Sequence, residues 1–194
     1  MKPNKYTIKK VSNREELLDV FGLVKENYIQ SGYMDDNDSF EITKFYHLFV
    51  PTTNIFINIH KDQVISTATL FTDSKEYGLP SDITYEKEYN ELRDSGRNIV
   101  EGGLLAGSQG RPLLYLMSFF FQTTKDIHAD DILLVVNPKH VNFYRNMLYF
   151  DAFGAERKCA RVNGAPGVLM RFNIKEFNPD EVKNKTLQRI FLSQ

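Results

Sequence analysis

Val136-Asn137-Pro138-Lys139-His140-Val141-Asn142-Phe143-Tyr144-Arg145-Asn146-Met147-Leu148-Tyr149-Phe150 is the stretch on which the fold turns. Just upstream, Ile132-Leu133-Leu134-Val135-Val136 is a continuous apolar run, the pattern of a central strand buried on both faces. Asn137-Pro138 ends that strand and starts a helix through Tyr144 and Leu148. Before the strand, Pro112 opens a very apolar helix that runs from Leu113 to about His128, with Phe119-Phe120-Phe121 in its middle. Before that helix, residues 98–106 read as a strand with two internal glycines, Gly102 and Gly103. Strand, helix and strand in this order predict one parallel step between adjacent strands. Downstream, 159–162 and 168–172 read as a closing hairpin around Asn163-Gly164-Ala165-Pro166-Gly167.

The N-terminal half supplies the remaining elements. Tyr6-Thr7-Ile8 is a short strand, and Ser12 or Asn13 caps a helix with Glu15 and Glu16 in its first turn, where the dipole favours anions. Leu17, Val20, Phe21, Val24 and Tyr28 form one face of that helix, and Gly32 stops it. A second short helix is expected over 41–49. Residues 54–60 and 64–71 read as a hairpin joined by Lys61-Asp62-Gln63. Residues 73–97 are polar and charged, with Pro80 and a helix expected over 85–92, and read as an excursion from the sheet. The expected fold is therefore α/β in the α+β sense: a mixed, mostly antiparallel sheet of six or seven strands flanked by helices.

Composition narrows the class without naming a function. The 194 residues are 42% hydrophobic and 25% charged. Such a balance is that of an ordinary soluble domain. The length fits one domain over 1–194 with a C-terminal extension after about 175. A single cysteine, Cys159, excludes a disulfide framework and a multi-cysteine metal site. His47, His60, His128 and His140 show no ligand spacing, so no metal is expected. A net charge of −1 excludes a uniformly basic nucleic-acid surface. No apolar run reaches the length of a membrane span, and the basic N-terminus leads into no apolar signal core, which points to the cytoplasm.

The Asn137-Pro138 exit from the strand and the Phe143-Tyr144 pair in the following helix resemble the GNAT acyltransferase superfamily, and so does the strand order, over roughly residues 6–174. Within it, Asn137-Pro138-Lys139-His140-Val141, Phe143-Tyr144-Arg145, Arg161-Val162-Asn163, the charged insert and Ile99-Val100-Glu101 are similar to the N-acyl amino acid synthases, relatives of the acyl-homoserine-lactone synthases. The resemblance implies a GNAT fold and transfer of an acyl group from acyl carrier protein to an amino acid. No cofactor is implied beyond acyl-phosphopantetheine as co-substrate. It assigns Gly102, Gly103, Leu104, Leu105, Gly107, Gly110, Arg111 and Asn137 to the acyl donor. One departure bears on the donor. The usual pyrophosphate loop has Gln or Arg followed by x-x-Gly, yet counting from Gln109 finds Pro112, which lacks an N–H for a phosphate.

Amide formation from a thioester needs a neutral amine, a stabilised oxyanion and a tolerable thiolate. Glu101, between Val100 and Gly102, is the candidate base, since burial would raise its pKa; the alternative is a strand carboxylate facing water or paired with arginine. Gly102-Gly103 inside a strand marks a bulge or a close backbone approach; the GNAT resemblance implies a bulge that turns a backbone N–H toward the thioester carbonyl, and the alternative is a plain bulge adjusting twist. Tyr144 is the candidate hydrogen-bond donor to the leaving sulfur, or a helix tyrosine packed under the sheet. Asn137 suits pantetheine amides and also helix capping. Phe119-Phe120-Phe121 fits core packing or an acyl tunnel, and Cys159 reads as core. Charge is uneven: residues 139–161 carry five basic and two acidic side chains, whereas 62–95 carry three basic and eight acidic ones. A basic face there would speed docking of an acidic carrier protein. The rival readings are an acetyl-CoA-dependent N-acetyltransferase of a small amine or peptide, and a GNAT-like ligand-binding module without turnover.

Overall fold

The computed structural model describes residues 6–35, 42–107, 111–182, 184, 185, 188 and 191, with the backbone alone at 42–45 and 111–114. The strands are β1 (Thr7–Lys10), β2 (Asn54–His60), β3 (Gln63–Thr72), β4 (Ile99–Gly107), β5 (Asp131–Val136), β6 (Asp151–Ala152), β7 (Arg157–Cys159) and β8 (Ala165–Asn173). The helices are α1 (Arg14–Gln30), α2 (Asp82–Asp94), α3 (Arg111–Asp126) and α4 (Val141–Leu148). In space the strands run β1-β2-β3-β4-β5-β8-β6, with β7 also paired to β8. Among the described residues β4 and β5 form the one parallel pair, joined through α3. The expected mixed sheet and parallel step are both present, with eight strands where six or seven were expected.

Alternation along the strands splits the core in two. Phe56, Leu70, Val100, Ile132, Leu134, Met170 and Phe172 face α3, α4 and the C-terminal Phe177 and Phe191. Ile55, Ile57, Phe71, Ile99, Leu133 and Leu169 face α1 and α2. Phe177, Val182 and Phe191 of the C-terminal stretch therefore pack into the core: the Phe191 ring stacks on Phe172 at 5.6 Å. Phe120 and Phe121 are core as well, while Phe119 is 45% exposed and borders a shallow surface hollow with Tyr6, Ile8 and Tyr115.

Local boundaries follow local chemistry. Asn13 caps α1 by accepting from the Glu16 N–H at 2.9 Å, and Glu16 accepts in return from the Ser12 N–H at 2.9 Å. The short helix expected over 41–49 is present over 42–49 and is a 3₁₀ helix. Its β-branched and aromatic residues are weak α-helix formers. Helix α2 starts at Asp82, three residues earlier than expected, with a kink at Tyr85 (φ −129°, ψ 35°) that lets the tyrosine be fully buried. The last hairpin turns through 160–164 and not through 163–167. Asn163 and Gly164, both at positive φ, accept the left-handed backbone that this turn demands. Ala165 already pairs with Cys159, and Pro166 lies within the strand opposite Lys158.

Candidate active site

The site lies where two central strands separate. Pairing between β4 and β5 runs from Ile99 opposite Asp131 to Gly102 opposite Leu134, and then stops. Beyond that point β4 stays with β3, and β5 continues along β8 to Val136 opposite Val168. A crevice at the carboxyl ends of parallel strands is a common place for ligands. On its β4 side the ladder to β3 is irregular: Thr69 faces Gly103 and Thr67 faces Ala106, so Leu104 and Leu105 oppose Ala68 alone. Leu104 adopts a positive φ to make this bulge. A bulge of this kind takes backbone groups out of the ladder.

The two glycines before the bulge have a packing role. A Cβ on Gly102 would lie 2.4 Å from Leu134 Cδ2 and 2.7 Å from Phe120 Cζ; one on Gly103 would lie 3.0 Å from Phe71. Of the two expectations for Gly102-Gly103, close approach applies to the glycines themselves, and the bulge falls just after them. Leu104 is buried and Leu105 is 37% exposed at the crevice end of the strand.

Glu101 is buried beneath the bulge at 4% exposure, and no arginine among the described residues forms an ion pair with it. Its Oε1 accepts from Ser81 Oγ at 2.7 Å; its Oε2 accepts from the Ser81 N–H at 3.0 Å and the Tyr89 hydroxyl at 2.8 Å. Burial pushes its pKa up to about 7, and the three hydrogen bonds with the Arg161 charge only partly offset this. A carboxyl group titrating there is poised to take up a proton near neutrality.

Several tyrosines near these elements are shifted as well. Burial raises the Tyr28 pKa well above its ordinary value, with Tyr33 and Glu101 adding to the rise. The Tyr28 and Tyr33 rings meet edge to face at 5.7 Å. Burial pushes Tyr144, on α4, up to about 12, and Tyr33 adds to this shift too. Its ring stands edge-on to Phe143 at 5.5 Å and Phe150 at 6.0 Å, the packing that was one of the two expectations for this residue. On the other flank, burial and Glu101 raise the Cys159 thiol, the opposite of nucleophile activation.

The remaining donor residues are spread along the crevice mouth. The Gly107 N–H already donates to Asn27 Oδ1 at 3.2 Å, and a Cβ there would lie 2.2 Å from the Ile65 carbonyl, so this glycine serves a close crossing. Arg111 is the first residue of α3 and Pro112 the second; Gly110 lies outside the described residues. Asn137 caps the 3₁₀ turn at 138–140, accepting from the Lys139 N–H at 3.1 Å.

Sequence reasoning missed Ser81 and Tyr89, the partners of the Glu101 carboxylate. Tyr28 read as one more apolar helix position, and Tyr85 with Tyr89 at helical spacing was the available signal that the insert turns a face inward. No group of three His, Cys, Asp or Glu side chains among the described residues is placed to hold a metal.

The chain resembles the structure of FeeM, an N-acyl amino acid synthase from uncultured soil microbes, with a TM-score of 0.80 at 20% identity over 89% of this chain and 92% of that one. An acyl-CoA N-acyltransferase from Pseudomonas aeruginosa matches at 0.54 and 18% identity over 86% of this chain and 98% of that one. A chain of the NatC complex, solved with Gag peptide and CoA, matches at 0.59 and 13% identity over 87% of this chain and 98% of that one. Among curated proteins none matches. The N-acyl amino acid synthase FeeM family model matches residues 19–173. A match over most of the chain, on a GNAT fold with a carboxyl group at the strand separation, makes this protein an acyltransferase belonging to the FeeM family of N-acyl amino acid synthases.

Proposed function

We propose that the protein transfers a long-chain acyl group from acyl carrier protein to the amino group of an amino acid. The observation that carries this reading is Glu101: a buried carboxyl group, raised to about 7, beside a β-bulge where the central strands part. The amine nitrogen attacks the thioester carbonyl and its proton passes to Glu101. The C–N bond forms as the C–S bond breaks, and the electron pair leaves on sulfur. A backbone N–H of the Leu104–Leu105 bulge stabilises the oxyanion. The Tyr144 hydroxyl donates a hydrogen bond to the departing thiolate; at about 12 its pKa is too high for it to serve as a strong acid.

Two features favour a carrier protein over coenzyme A. Pro112 leaves the first turn of α3 without one N–H, and the Gly107 N–H is already engaged by Asn27. Both weaken a pyrophosphate cradle, which phosphopantetheine on a protein does not need. Exposed Lys139, Arg145 and Lys158 offer basic contacts to an acidic carrier. The test is turnover measured side by side with a long-chain acyl carrier protein, the matching acyl-CoA and acetyl-CoA, using a mixture of amino acids and mass spectrometry of the products. The carrier protein is expected to be the faster donor by a wide margin. Equal or better rates with acetyl-CoA would overturn the donor assignment and favour an N-acetyltransferase.

A further inference from the structure

Ser81 occupies the N-cap position of α2: its carbonyl accepts from the Thr84 and Tyr85 N–H groups at 2.9 and 3.0 Å. Serine is common there because its hydroxyl can accept from a free N–H of the first turn. The Ser81 hydroxyl makes no such bond. It donates instead to Glu101 Oε1 at 2.7 Å, while the Ser81 N–H donates to Oε2 at 3.0 Å. Farther along the helix, the Tyr89 hydroxyl donates to the same Oε2 at 2.8 Å. Burial and Glu101 itself raise the Tyr89 pKa well above its ordinary value, so the hydroxyl keeps its proton to donate.

The sheet offers Glu101 nothing polar. Phe71 lies opposite it on β3 and Leu133 on β5. Among the described residues, every hydrogen bond to the carboxylate therefore comes from α2 and its cap. That helix is itself tied down. Arg93 closes on Asp73 and Asp82 at 2.7 and 2.8 Å, Arg157 donates to the Thr84 carbonyl at 2.8 Å, and the Tyr85 hydroxyl donates to the Gly167 carbonyl at 2.6 Å. An ionised carboxylate has about four acceptor sites on its two oxygens. Oε2 accepts twice and Oε1 once, so the site left open is on Oε1.

We infer that Ser81 and Tyr89 are positioning residues of the proposed reaction: they leave Oε1 of Glu101 to take the amine proton, and they set the pH above which it does so. This rests on the reading of Glu101 as the base. The proton of the attacking nitrogen moves to Oε1 as the C–N bond forms, the C–S electron pair leaves on sulfur, and Glu101 returns the proton to the released thiolate. Each donor from α2 favours the charged carboxylate, so removing one makes the base accept its proton at higher pH. The other groups whose charge acts on Glu101 are Tyr28 of α1, Cys159 of β7 and Arg161 of the turn after it. Burial raises Tyr28 and Cys159, which keeps both neutral near pH 7, and Arg161 stays charged. Asp82, next to Ser81, is paired with Arg93. Neither Ser81→Ala nor Tyr89→Phe removes any of these groups.

The experiment measures kcat from about pH 5.5 to pH 9 for the wild type, Tyr89→Phe, Ser81→Ala and Ser81→Thr. All four use the same saturating amino acid and whichever thioester donor turns over faster. The wild-type acidic limb is expected near pH 7. Tyr89→Phe and Ser81→Ala should each move it up by about one to two pH units, the size of a lost hydrogen bond to a charged group. Turnover at pH 7 then falls roughly 5- to 50-fold, and most of it returns at high pH. Ser81→Thr, which keeps the hydroxyl, should hold the wild-type limb. Denaturant unfolding reads the same change without turnover: the excess of stability at pH 5 over pH 8 should grow in both donor-deleted variants. Should Tyr89→Phe fail to fold, the two Ser81 variants decide. A limb that stays in place in the folded variants, with turnover lowered equally at every pH, makes these residues structural and overturns the inference. A wild type with no acidic limb near pH 7 would instead defeat the reading of Glu101 as the base.

Discussion

Glu101 is the residue on which the proposed chemistry depends most. Three hydrogen-bond donors favour its charged form, but burial at 4% exposure outweighs them and holds the pKa at about 7 against an ordinary 4.5. The folded protein therefore keeps a proton that the unfolded chain releases between those values. The resulting stability is complete below pH 4.5 and is lost as pH rises through 7, on the order of 3 kcal/mol in all. Glu101→Gln should flatten this segment of the stability curve, as read by denaturant unfolding at about pH 5 and pH 8. The same variant should lose roughly 10²–10⁴-fold in turnover near neutrality, and the acidic limb of the rate profile near pH 7 should disappear. A wild-type rate across that range would make Glu101 structural. Tyr144 requires a different readout. Proton transfer from a tyrosine at about 12 to an ordinary thiolate is uphill by about 5 kcal/mol, so a hydrogen bond is what it can give. Tyr144→Phe keeps the ring contacts to Phe143 and Phe150. Turnover should fall roughly 10- to 150-fold with donor affinity nearly constant. An unchanged rate would reduce Tyr144 to packing.

Strand β4 is the element that assembles these groups. Glu101, Gly102, Gly103 and Leu104 are consecutive, and each does something different: a carboxyl group under the sheet, two close approaches and a bulge. Alternation places Glu101 on the α1 and α2 face with Ile99, and Gly102 on the α3 face against Phe120 and Leu134. The parting of β4 from β5 thus begins where the chain has no side chain to hold the two layers apart. Gly102→Ala would force a Cβ to 2.4 Å from Leu134 Cδ2. Overpacking of this kind costs about 1–3 kcal/mol, a fall in Tm of roughly 3–10 °C by thermal unfolding. No fall in Tm would show that Leu134 and Phe120 can move aside. Helix α2 acts on the same strand from above: Ser81 before it and Tyr89 within it supply every hydrogen bond described for the Glu101 carboxylate.

At the scale of the molecule, charges far apart in sequence cancel in space. Arg157, counted among the basic residues of 139–161, binds both oxygens of Glu88 at 2.9 and 2.6 Å and stacks on Tyr85 at 4.7 Å. The Arg161 guanidinium lies 5.9 Å over the Tyr46 ring. The basic surface left in that segment is Lys139, Arg145 and Lys158, smaller than linear counting implied. The acidic insert is likewise drawn in, since Arg93 closes it on Asp73 and Asp82 at 2.7 and 2.8 Å. At the opposite end of β5, Asp131 is fully buried between Arg97 and Arg171, which fixes the sheet where the strands are still paired.

The layers and their order were legible along the chain. The apolar run at 132–136, the Asn137-Pro138 exit, the long apolar helix before them and the hairpin at 54–71 are local patterns, and period and punctuation carry them. Glu101 stood out as a carboxylate inside an apolar strand, and Tyr144 through the resemblance of the Phe143-Tyr144 pair to the family. What surrounds them came only with folding. That Ser81 and Tyr89 reach Glu101 depends on an insert folding back across 12 to 20 residues of sequence separation. The position of the bulge depends on the register between β3 and β4. The physical reason is the range of each interaction. Hydrophobic period and backbone conformation are fixed within a few residues, whereas desolvation and charge pairing are sums over neighbours that the chain brings together only when it folds.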